Sequence, residues 1–149
     1  MKKYKAGIDV GSTTVKMVLL DERNQTCFSR YERHYADIQK AAEKIIKEAQ
    51  AVIQDQPVAL AITGSGGMGL AEVLRIPFVQ EVIACTKTVE TVIPETDVAI
   101  ELGGEDAKIT FFEGALEQRM NGSCAGGTGA FIDQMAVLLK TDANGVNEL

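Results

Sequence analysis

The hydrophobic pattern changes period several times along the chain. Residues 4–8 and 15–20 are short apolar runs that predict two strands, joined through Asp9-Val10-Gly11-Ser12-Thr13-Thr14. Residues 27–33 alternate weakly and predict a third strand. The period then lengthens. Ile38, Ala41, Ala42, Ile45, Ile46, Ala49, Val52 and Ile53 follow helical spacing, charged residues fill the opposite face, and Asp37 stands at the N-cap. Pro57 ends that region, and residues 58–62 predict a fully buried strand. A glycine-rich turn leads into a short helix over 70–74, which Pro77 terminates. Residues 81–93 predict another helix, with Val82, Ile83, Val89, Val92 and Ile93 as its apolar face. Strands follow at 97–102, 108–112 and 115–120, and Phe131, Ile132, Met135, Leu138 and Leu139 form the stripe of a last amphipathic helix.

The first hairpin carries the candidate chemistry. Its first strand delivers the carboxylate of Asp9 to a turn made of Gly11 and the hydroxyl residues Ser12, Thr13 and Thr14. Fixed N–H groups at such a tip can wrap an anion. A carboxylate beside a phosphate calls for a divalent cation between them. A plain hairpin turn that uses Gly11 for its backbone freedom satisfies the same pattern. A second copy changes the balance. Ile100-Glu101-Leu102-Gly103 repeats Ile8-Asp9-Val10-Gly11, and in each copy a lysine, Lys16 or Lys108, follows the acid by seven. Each copy closes on an acid, Asp21 or Glu113, and the offset is 92 residues (101 − 9). Internal repetition is architecture first. It predicts two related half-units facing one ligand: a complete one over residues 1–95, and the beginning of another over 96–149.

Composition narrows the class. At 149 residues, 46% apolar and 24% charged, the chain has the make-up of an ordinary globular protein of one domain, or one domain and part of another. A net charge of −6 argues against a nucleic-acid surface. No apolar run reaches membrane length, and the N-terminus leads straight into a strand, so a cytoplasmic protein is expected. Cys27, Cys85 and Cys124 do not make an even disulfide set and read as reduced thiols, the first two as packing residues. His34, at a strand-to-helix join, reads as a surface residue.

Two glycine-rich stretches remain. Gly64-Ser65-Gly66-Gly67-Met68-Gly69 satisfies the dinucleotide fingerprint, with Glu90 at about the distance of its acid. Glu90, however, falls in a predicted helix, and a whole sheet-and-helix unit precedes the glycines. A strand-to-helix turn near a mononucleotide accounts for them better. The second stretch runs from Asn121 to Gly129 and surrounds Cys124 just ahead of a helix. A helix start favours the thiolate, which suits a reactive thiol or a soft metal ligand. A loop with an incidental cysteine is the alternative.

Asp-Val-Gly-Ser-Thr-Thr, Glu-Leu-Gly-Gly-Glu-Asp-Ala-Lys and Asn-Gly-Ser-Cys-Ala-Gly-Gly-Thr-Gly occur in that order. Together they resemble the BadF/BadG/BcrA/BcrD ATPase family, which includes activators of 2-hydroxyacyl-CoA dehydratases and ATPase subunits of benzoyl-CoA reductases. The resemblance implies an α/β fold of the actin-like ATPase, ribonuclease-H-like type, closing on Mg2+ and ATP or ADP. It implies a homodimer with a [4Fe–4S] cluster between subunits, and electron transfer into an acyl-CoA dehydratase or reductase partner. By it, Asp9 would hold Mg2+ through water or orient the attacking water. Gly11, Ser12, Thr13 and Thr14 would hold phosphates, Glu101, Gly103 and Gly104 would form the second phosphate hairpin, and Cys124 would be a cluster ligand. Lys16 and Lys108 would neutralise phosphate if turned inward, and a solvated strand edge is the other reading.

The chain departs from the family pattern at Glu101, where many members have Asp, and at Glu105, where dehydratase activators often have Gln. No second motif cysteine follows Cys124, so the chain reads as the first half of a longer activase, with no cluster expected on it alone. Three other functions fit parts of the pattern: a small-molecule kinase of the same fold, a nicotinamide-binding module on Gly64, Gly66 and Gly69, and a non-enzymatic nucleotide-dependent assembly module.

Overall fold

The computed structural model describes residues 3–122, 127–142 and 145–148. The chain divides into two compact units, one up to Ala84 and one from Cys85.

In the first unit, β1 (Tyr4–Val10), β2 (Thr14–Leu20) and β3 (Thr26–Arg33) form an antiparallel meander, and β4 (Val58–Thr63) pairs parallel to β1. The sheet order is β3-β2-β1-β4. Alternation puts Ala6, Ile8 and Val10 of β1 and Val15, Met17 and Leu19 of β2 in the core. Helix α1 (Ile38–Ile53) packs its Ala41, Ala42, Ile45 and Ala49 into that core. Three alanines on one stripe let the helix approach the sheet closely, and burying an Ile45-sized side chain stabilises by about 1.5–3 kcal/mol. The Asp37 carboxylate accepts a hydrogen bond from the Lys40 amide at 3.0 Å, which caps the helix. Ile46 and Val52, expected in the stripe, lie at its margins and are 37% exposed.

Strand β4 is not fully buried. Ile62 is buried but Ala59 is exposed, because β4 ends the four-stranded ladder and is extended only by a bridge from Ile62 to Phe78. Helix α2 (Gly67–Leu74) follows at once. Arg75, in the left-handed conformation, turns its amide back to Ala71 and Glu72 and stops the helix ahead of Pro77.

Helix α3 (Glu81–Val92) carries the unit boundary. The second unit contains the antiparallel sheet β5 (Val98–Leu102), β6 (Ala107–Phe111) and β7 (Glu117–Met120), then α4 (Gly129–Leu138) and a 3-10 turn at Gly145–Glu148. Its strands are short and its core is sparse. The apolar faces expected on α3 and α4 are largely open: Val89 and Ala136 are buried, while Val92, Phe131 and Leu138 are exposed. Ile8 is 1% exposed, and its counterpart Ile100 is 69% exposed. The reason lies in the connection. Strand β3 leads into α1, which covers the first sheet, whereas β7 leads into the glycine-rich stretch. No helix among the described residues is long and apolar enough to cross a membrane.

Candidate functional site

Register alone assembles a polar row on the first sheet. Tyr31 pairs with Lys16, Lys16 with Asp9 and Asp9 with Thr63, so one residue from each of the four strands stands in line. Residues paired across a ladder share a face, and this face is opposite the one carrying Ile8 and Val10. Lys16 Nζ donates to Asp9 Oδ2 at 2.7 Å and lies 5.6 Å from the centre of the Tyr31 ring. Each charged side chain is about a third exposed, so the pair contributes only about 0–1 kcal/mol to stability. Its chemical effect is local: Lys16 tempers the charge of Asp9. The Thr63 hydroxyl is buried with no hydrogen-bond partner among the described residues.

The turn beyond Asp9 closes through the Gly11 amide, which donates to the Thr14 carbonyl at 2.9 Å. Ser12 is exposed at the tip and Thr14 is buried. Two elements hold this turn from outside. The first is the 64–67 loop, where the Gly66 amide donates to the Val10 carbonyl at 2.8 Å. Gly64 has a φ of +96°, and a Cβ there would lie 2.3 Å from the Val10 oxygen and 2.5 Å from Asp9 Oδ1. Gly64 and Gly66 of the apparent dinucleotide fingerprint therefore pack against β1, whereas a Cβ at Gly69 would meet nothing within 4 Å. Glu90, the acid expected of that fingerprint, sits on α3 beside Lys87 and not at a strand end.

The second is His34. Expected at the surface, it is 7% exposed, with Nε2 at 3.1 Å from the Gly11 carbonyl. Nothing in the hydrophobic pattern pointed to it. The available signal was its place directly after β3, where register brings the residue following Arg33 opposite the hairpin turn.

The second hairpin repeats the first in its strand register and in its turn-closing bond. Glu101 pairs with Lys108 as Asp9 pairs with Lys16. The Gly103 amide donates to the Asp106 carbonyl at 2.7 Å, as Gly11 does to Thr14. Each acid is the penultimate residue of its strand. Helix α4 starts on this turn: the Gly129 and Ala130 amides donate to the Gly103 and Gly104 carbonyls at 2.8 and 2.9 Å. Thr128, at the α4 N-cap, is fully buried, and its hydroxyl has no partner among the described residues.

The cysteines differ from expectation. Cys27 is exposed rather than packed, because β3 is an edge strand, and its Sγ meets the Leu19 carbonyl at 3.4 Å. Cys85 is partly buried beside Glu101. Burial pushes its thiol up from the usual range, and the negative charge of Glu101 and a hydrogen bond to it add to the effect, with Lys108 opposing. Cys124 lies outside the described residues.

The chain is 31% identical to an uncharacterized protein of Methanocaldococcus jannaschii, over 95% of its own length and 58% of that protein. It is 29% identical to the 2-hydroxyisocaproyl-CoA dehydratase activator of Clostridioides difficile, over 95% of its own length and 54% of the activator. It therefore spans about half the length of these curated relatives. A solved structure of the activator of the 2-hydroxyisocaproyl-CoA dehydratase from Clostridium difficile, with bound ADPNP, matches it with a TM-score of 0.77 at 28% identity, over 94% of this chain and 53% of that one. The fold is that of the actin-like ATPases. The BadF/BadG/BcrA/BcrD ATPase family matches residues 6–148, almost the whole length, and the chain belongs to that family.

Proposed function

We propose that this chain is the nucleotide-binding part of an activase that couples ATP turnover to electron transfer into an acyl-CoA dehydratase or reductase. The observation that carries the reading is the repeated hairpin, with the same acid–lysine register and the same turn-closing bond 92 residues apart (101 − 9). Amides and hydroxyls at Gly11, Ser12, Thr13 and Thr14 hold nucleotide phosphates, and Gly103 and Gly104 supply the matching turn. Asp9 orients the attacking water, Glu101 has the corresponding place on the second hairpin, and Lys16 limits the repulsion between Asp9 and phosphate. One carboxylate, partly exposed and with the Thr63 hydroxyl nearby unpartnered among the described residues, suits Mg2+ held through water, as that ion keeps several of its waters. Mg2+ would neutralise phosphate charge there.

Cys124 is assigned as a ligand of a [4Fe–4S] cluster in a homodimer of the longer protein. Such a cluster takes four thiolates, so each subunit must supply a second cysteine. No group of three His, Cys, Asp or Glu suited to a metal occurs among the described residues, and the Cys85 thiol is engaged with Glu101.

Calorimetry with Mg-ADP and with NADH tests the nucleotide assignment on this chain. Heat from Mg-ADP and none from NADH is expected. NADH binding that is lost in Gly66→Val, with no response to Mg-ADP, would reverse the assignment. In the longer protein, Asp9→Asn should slow phosphate release roughly a hundredfold, the usual scale for loss of a positioned proton acceptor.

A further inference from the structure

His34 is held in one proton arrangement. The Ala36 amide donates to its Nδ1 at 3.1 Å. A backbone N–H only donates, so Nδ1 carries no proton and the neutral ring has its hydrogen on Nε2. The partner of Nε2 is the Gly11 carbonyl oxygen at 3.1 Å, which only accepts. The Nε2–H tautomer makes both bonds and the other neutral tautomer makes neither. The His34 backbone amide also donates to the Thr13 carbonyl at 3.2 Å. One buried residue thus grips the phosphate turn at two carbonyls, from ring and from main chain.

The local backbone is strained to allow this. Tyr35 and Ala36 both have positive φ, 45° and 67°, and neither is glycine. Left-handed backbone brings the Cβ of such a residue too close to the following carbonyl oxygen and is unfavourable for both. The Asp37 amide donates to the His34 carbonyl at 2.7 Å and closes the turn that brings the ring under Gly11. Strain kept at a site without glycine is where function is to be looked for.

The consequence follows from peptide planarity. In a trans peptide the C=O of one residue and the N–H of the next point in opposite directions. With the Gly11 carbonyl drawn onto His34, the Ser12 amide is aimed away from it at the exposed tip. We infer that His34 is a positioning residue that presents the Ser12 N–H to a nucleotide phosphate, a role that rests on the nucleotide assignment above.

The test uses the full 149-residue chain, labelled with nitrogen-15, as wild type, His34→Gln, His34→Asn and His34→Ala. The ligand is Mg-ADP. Gln keeps a donor where Nε2 stands, and Asn keeps an acceptor where Nδ1 stands. Without ligand, the ring nitrogens of wild type should report the Nε2–H tautomer. The Ser12 amide resonance should move in His34→Ala and His34→Asn and return towards wild type in His34→Gln. With ligand, His34→Ala and His34→Asn should bind Mg-ADP about three- to tenfold more weakly, the scale of one lost hydrogen bond, and His34→Gln should recover most of the loss. An Nδ1–H tautomer, or a Ser12 resonance indifferent to all three substitutions, would overturn the positioning role. Equal affinity in all four proteins would do the same. No response of the wild type to Mg-ADP would instead refute the nucleotide assignment, and the ligand-free spectra would still decide whether His34 orients the turn.

Discussion

Replacing Gly64 by alanine tests the claim that the 64–67 loop is built against β1. A φ of +96° is unfavourable for alanine, and the left-handed side of the map costs an L-residue on the order of 1–2 kcal/mol. The new Cβ would lie 2.3 Å from the Val10 oxygen and 2.5 Å from Val10 C, both backbone atoms at the end of the inner strand β1. Relieving such overlap by shifting the main chain costs about 1–3 kcal/mol. The shift also breaks the hydrogen bond from the Gly66 amide to the Val10 carbonyl, about 1 kcal/mol more. The total is roughly 3–6 kcal/mol, a large part of the ~5–15 kcal/mol that holds a typical domain folded. Gly69 is the internal control. It lies inside α2, and a Cβ there meets nothing within 4 Å. Alanine at that position should stabilise, by up to about 1 kcal/mol, through helix propensity. Urea unfolding followed by far-ultraviolet circular dichroism gives the midpoints, and hydrogen exchange at the Gly66 amide gives the local opening. Wild-type midpoints for Gly64→Ala, or equal destabilisation by both substitutions, would refute the packing argument and free the glycines for a ligand.

Ile45→Ala leaves a cavity beneath α1, where the side chain is 1% exposed, and should destabilise the first unit by about 2–5 kcal/mol in the same urea assay. Asp37→Ala removes the α1 cap and should cost about 1 kcal/mol, while Asp37→Asn should retain most of it. Cys85 should alkylate only at higher pH than a free cysteine, because the reactive form is the thiolate and both burial and Glu101 oppose it. The folded thiol holds its proton more tightly than the unfolded one, so its contribution to stability is present below the ordinary thiol range and is lost as pH rises through the folded value. Glu101→Gln should move the alkylation profile back towards the ordinary range, and an unchanged profile would remove Glu101 as a cause.

Local physics was legible in the sequence. Apolar runs marked β1 and β2, helical spacing and Asp37 marked α1, and prolines marked where helical regions end. The doubled acid–glycine–lysine pattern announced two hairpins of one register, because a seven-residue spacing around a tight turn brings acid and lysine opposite each other. What pattern cannot carry is the pairing of distant segments. Glycines 64, 66 and 69 looked like a phosphate fingerprint, and only the parallel β1–β4 ladder revealed that Val10 fills the place beside Gly64 and Gly66. Burial depends equally on what lies above a face: Ile8 and Ile100 stand at the same place in the repeated pattern and have opposite exposure, because α1 covers one sheet and no described helix covers the other in that way. His34 and Cys85 are the sharpest cases. Each is one polar or thiol side chain in an unremarkable stretch, and each acquired its role from a backbone or carboxylate many residues away, which the β3–β2 register and the packing of α3 supplied.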